Sequence, residues 1–188
     1  MISKVHTNKQ RQNWLAWLNG PLHQQMLWLF MVIVLGHWLE HLAQIYQVYV
    51  LGWLPKEAGG ALGYWFPEIN AADVLHFTYN FFLWGGILLL QPGFRGQARH
   101  WWNGALAIQS WHFFEHALLQ VQWLTGYYLF GAAKQISIGE LWLPRMELHF
   151  GYNLLVFVPL VIAMYIYFRP QSPRGPAQTA DRMVTTTA

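Results

Sequence analysis

The stretch Gly36-His37-Trp38-Leu39-Glu40-His41 decides how this chain is read, because it sets two imidazoles and a carboxylate inside an apolar run from Met26 to Leu54. About 20 apolar residues cross the roughly 30 Å hydrocarbon core of a bilayer. Three further runs of this kind follow, Asp73 to Leu90, Trp101 to Leu124 and Leu148 to Phe168. Composition agrees: 55% of the 188 residues are hydrophobic and 10% charged, where a soluble domain carries about 25% charge. The chain therefore reads as all-α, an integral membrane four-helix bundle. Residues 1–25 form a cytoplasmic, interfacial arm, 26–168 the transmembrane domain, and 169–188, rich in Pro, Gly and Thr, a disordered cytoplasmic tail.

Four spans place both termini on one side. That side carries Lys4, Lys9, Arg11, Arg95, Arg99, Arg169, Arg174 and Arg182, against Lys56, Lys134 and Arg145 on the other. The excess puts the termini in the cytoplasm, and the expected location is a bacterial plasma membrane. No cleavable signal peptide is expected, since the first apolar stretch is too long and lacks a small-residue cleavage site. Trp14, Leu15, Trp17 and Leu18 read as an anchor in the headgroup layer. Trp53, Trp65, Trp101, Trp102, Trp123 and Trp142 fall near span ends, as an interfacial belt does. No basic stripe with interleaved aromatics lies outside the spans, so nucleic acid is not an expected partner. The outer connections, 53–72 and 125–147, are long enough to be functional lids.

The opening stretch recurs. His37-Trp38-Leu39-Glu40-His41 is matched 75 positions on by His112-Phe113-Phe114-Glu115-His116. Leu75-His76-Phe77-Thr78-Tyr79-Asn80 is matched 73 positions on by Leu148-His149-Phe150-Gly151-Tyr152-Asn153, and Gln47 by Gln122. The order H-x-x-E-H, then L-H-F-x-Y-N, occurs twice, which predicts two helical hairpins of one design, 26–91 and 101–168. Spans one and three run outward and spans two and four inward, so the halves would be related by an axis along the membrane normal.

Helical positions i, i+3 and i+4 share a face. His37, Glu40 and His41 therefore project together, as do His112, Glu115 and His116. His76 and His149 begin spans that enter from outside, so all six histidines fall in the outer half of the bundle. A carboxylate within a bilayer costs about 2.5–3.5 kcal/mol and is rarely left unpartnered, yet no Lys or Arg occurs at this depth. A bound cation is the strong partner that remains. The competing reading is protonated Glu40 and Glu115, with the imidazoles hydrogen-bonded to Gln44, Gln120, Tyr79 and Tyr152. With no Cys in the chain, thiolate sites and disulfides are absent. The expected ligands are His37, His41, His76, His112, His116 and His149, with Glu40 and Glu115 as terminal or bridging ligands. Gln47, Tyr79, Asn80, Gln122, Tyr152 and Asn153 would support them.

Helical bundles commonly house dinuclear carboxylate sites, and imidazole with carboxylate favours iron, with zinc, manganese or copper also expected. H-x-x-E-H resembles the inverzincin metalloprotease signature, which implies two His ligands to zinc and Glu as general base; two symmetric copies argue against two complete proteases. The clustered histidines also resemble the His boxes of integral-membrane di-iron desaturases and hydroxylases. Here Glu stands where a His would, and the set lies on the outer side. The function expected is a metal-dependent oxidoreductase acting on a lipid or other apolar substrate. No flavin, nicotinamide or iron–sulfur motif is visible, so a redox partner or larger membrane complex is implied. Haem b held by facing histidines, or metal or proton transport without catalysis, are the alternatives.

Overall fold

The computed structural model describes residues 14–66 and 73–169; the arm before residue 14, the tail after 169 and residues 67–72, the end of the first outer connection, lie outside them. Among the described residues there is no strand. The helices are α1 (His23–Tyr49), a short α2 (Gly60–Trp65), α3 (Asp73–Leu90), α4 (Gly96–Thr125) and α5 (Arg145–Phe168). At about 1.5 Å per residue, α1 and α5, with 27 and 24 residues, reach beyond the thickness of a bilayer core. Both are long and apolar enough to cross a membrane.

Helix ends depart from the apolar runs by a few residues, for local reasons. α1 stops at Tyr49, five residues short of its run, where Gly52 turns to φ +72° and the Trp53 amide bonds the Gln47 carbonyl. α4 begins five residues ahead of its run, after a turn at Gln91–Gly93, and ends where Gly126, at φ +71°, caps the Gln122 carbonyl. Pro159 removes one backbone donor inside α5.

The four long helices close a ring: α4 packs on α3 and on α5, and α1 on α5 and α3. The end at which the chain enters α1 is filled by an apolar cluster that includes Leu27, Ile87, Phe94, Trp102 and Leu160. Trp102, expected in an interfacial belt, is instead fully buried, stacked on Phe94 and donating to the Ile87 carbonyl at 2.8 Å. His23 belongs to this end and bridges the Leu90 carbonyl at 3.0 Å and the Tyr167 hydroxyl at 3.1 Å. Its ring occupies the space a Cβ on Gly93 would take. Small residues let helices approach closely: Gly86 lies under the Phe30 ring, while Gly36 and Gly85 face open space.

The outward faces are apolar, with Trp28, Leu29, Val32, Ile33, Phe82, Leu88 and Tyr165 exposed. The buried polar residues His41, His112, His116, Glu115, Asn80, Asn153, Gln109 and Gln122 lie inside. A water-facing fold has the reverse arrangement.

Candidate metal centre

Each H-x-x-E-H turn brings its two imidazoles together. The His37 and His41 Nε2 atoms are 2.8 Å apart, and those of His112 and His116 are 3.1 Å apart. Two nitrogens bound at 2.0–2.1 Å to one tetrahedral ion stand about 3.3–3.4 Å apart, and at an octahedral right angle about 2.9 Å. Both separations are those of a hydrogen bond between the rings, and both also lie close to the octahedral chelating value.

His149, from α5, is the hub. Its ring centroid lies 4.6 Å from His41, 4.9 Å from His112, 5.0 Å from His116 and 5.7 Å from His76. Two groups of ring nitrogens, each within 4.8 Å of one another, result: His37, His41 and His149, and His112, His116 and His149. Either can hold a metal ion. The His149 Nε2 and His112 Nδ1 are buried with no hydrogen-bond partner, which is rare for polar atoms inside a fold. His76 belongs to neither group and stacks parallel to His116 at 6.4 Å.

Neighbours orient the rings. His41 Nδ1 lies 2.9 Å from Gln44 Oε1; an amide oxygen only accepts, so Nδ1 carries the proton and the Nε2 lone pair faces the group. This is the support metal-binding histidines ordinarily receive. At the matched position of the second half stands Leu119. Tyr79 stacks on His37 at 3.7 Å and Tyr152 on His112 at 4.9 Å, the latter hydroxyl accepting from Trp111 Nε1 at 2.8 Å.

The two glutamates belong to neither group. Glu40 Oε2 accepts the Leu62 amide at 3.0 Å, and Glu115 Oε1 the Gly139 amide at 2.7 Å. The reason lies in helix geometry: at 100° per residue, position i+3 falls about 100° away from i+4, which turns each carboxylate off the shared imidazole direction and toward the outer connection. Gly60, at φ +72°, leaves room for Glu40, whose Oε2 a Cβ there would meet. The residues expected to support the ligands divide in the same way. Gln47 clasps Gly60 through both its amide and its carbonyl, at 2.8 and 3.0 Å. Gln122 donates to the Ile136 carbonyl at 2.8 Å and accepts from the Leu129 amide at 2.9 Å. Asn80 and Asn153 donate to the backbone carbonyls of His76 and His149, at 2.9 and 2.8 Å. Glu40 with Glu115, Gln47 with Gln122 and Asn80 with Asn153 thus make similar contacts.

The connections so fastened fold over the cluster and leave a cavity of about 460 Å³, reached by His41, His76, His112, His116 and His149. Glu115 also lines it, as do Lys56, Lys134 and Arg145 from the loop end. The three cations served in the sequence only to orient the spans. Their convergence on one opening had no local signal, because each lies in a different stretch of chain.

No family model, curated protein or solved structure matches the chain.

Proposed function

We propose that the chain is an integral membrane metalloprotein, a four-helix bundle of two repeated hairpins with cytoplasmic termini in a plasma membrane. Its histidine cluster binds a divalent metal that serves oxidation of a lipid or other apolar substrate. One observation carries the metal reading: two Nε2 pairs at 2.8 and 3.1 Å share His149, whose buried Nε2 has no hydrogen-bond partner, and His41, His112, His116 and His149 line one cavity. The membrane reading is supported by the apolar outward faces around a polar interior, and the repeat by the matched contacts of Glu40 with Glu115 and Gln47 with Gln122.

The turn of both carboxylates toward the loops leaves imidazole-only groups. That moves the preference among the expected metals from iron toward copper and zinc, and places manganese last. When bound, the ion supplies Lewis-acid or one-electron chemistry at its open positions. The chain orients it through Gln44, screens it with Tyr79 and Tyr152, and closes it from outside with the fastened loops. Electrons for an oxidation would come from a redox partner. Haem fits less well between His149 and His41, His112 or His116, because ring centroids 4.6–5.0 Å apart leave no slot for a porphyrin plane; His76 and His116, at 6.4 Å, are the pair on which the Soret test below bears.

Elemental analysis and an absorption spectrum of the purified protein test this reading. Metal bound in the wild type, lost from the His41→Ala, His116→Ala double variant and unaccompanied by a Soret band is the expected result. Absence of metal, or equal metal in the variant, overturns it.

A further inference from the structure

Few cations are expected on the outer side of a membrane protein, and this chain has three, Lys56, Lys134 and Arg145. All three line the cavity above the histidines. Arg145 is engaged there: its Nε meets Glu140 Oε1 at 2.8 Å and its Nη2 the Gln135 carbonyl at 2.8 Å. Glu115, the other carboxylate on the wall, is bonded to the Gly139 amide. Lys56 and Lys134 form no ion pair among the described residues. A dication held by neutral imidazoles alone would bring two more positive charges, with no anionic ligand in either group. Positive charge in a low-dielectric setting calls for a counter-charge, and the cavity has space for one.

From this excess, and resting on the metal reading above, we propose that the cavity's ligand is a compact anion. It enters from the outer aqueous side past Lys56 and Lys134 and completes the coordination of the metal. Buried Gln120 Oε1, which lacks a partner and belongs to a wall residue, marks space that a protonated or hydrated part of such a ligand would fill. The anionic group can belong to a free ion or to the head of an acyl chain, and both share this chemistry.

The test uses the full chain in neutral detergent, loaded with cobalt(II), with azide as the probe and the cobalt absorption spectrum as the readout. Azide is expected to shift the spectrum saturably. In a Lys56→Ala, Lys134→Ala double variant, with equal cobalt content and an unchanged azide-free spectrum, its apparent Kd should rise by about 2- to 30-fold, the range for two exposed charge interactions. Lys56→Arg, Lys134→Arg should restore it, and high salt should narrow the difference. Octanoate displacing azide at far lower concentration than acetate assigns the anion to an acyl chain; equal potency assigns it to a free ion. If cobalt binds but azide leaves the spectrum unchanged, or binds both proteins equally, the anion inference is overturned and the metal reading stands. A chain that takes up no cobalt, zinc or copper overturns both.

Discussion

The sharing of His149 makes the two histidine groups unequal to mutation, and this can be measured. Removing His41 leaves His112, His116 and His149 intact, and removing His116 leaves His37, His41 and His149. Removing His149 cuts both groups to a pair. Four-ligand structural zinc sites have apparent binding free energies of about 10–16 kcal/mol, or about 2.5–4 kcal/mol per ligand, which is roughly two to three orders of magnitude in Kd. His149→Ala should therefore weaken zinc binding by about 100- to 1,000-fold. His41→Ala and His116→Ala should each leave one site of near wild-type affinity. Competition with a chromophoric chelator gives the affinities, and thermal unfolding of the zinc-free proteins shows whether each variant folds. The fold should survive His149→Ala, since the Nε2 it removes has no hydrogen bond to lose. A folded His149→Ala protein with wild-type affinity would refute the shared-ligand geometry, as would complete loss of binding in His41→Ala alone.

Further outcomes follow from the same contacts. In a His116→Ala background, which leaves only the first group, Gln44→Leu, which copies Leu119, should lower zinc affinity by about 10- to 100-fold, and in a His41→Ala background it should change nothing, both read by the same titration. Glu40→Gln and Glu115→Gln should keep full metal content by elemental analysis, because each carboxylate is bonded to a loop amide; loss of metal would show that one of them is a ligand. Gly60→Ala should cost about 1–2 kcal/mol for its left-handed backbone and about 1.5–3 kcal/mol for the displaced Glu40 hydrogen bond. Its signature would be a lower Tm and faster tryptic cleavage at Lys56.

Much of the site is legible in the order of residues because helical spacing is local. Four positions of separation make His37 face His41 and His112 face His116, and apolar runs mark the four long helices to within about five residues. The same arithmetic misleads for Glu40 and Glu115. Three positions of separation put them near the histidine face, but a backbone amide more than 20 residues away competes for each carboxylate. Gln47 and Gln122, expected beside the ligands because they match 75 positions apart, bond the loops.

The helical class, the apolar runs, the paired imidazoles and the recurring order of motifs were legible in the chain, since each depends on separations of a few residues or on composition. Tertiary structure alone decided that His149 would be common to both groups, that the glutamates would hold loops, and that Lys56, Lys134 and Arg145 would share one opening. Those outcomes depend on which helix stands across from which face and on where each connection returns, and intervals along the chain do not record either.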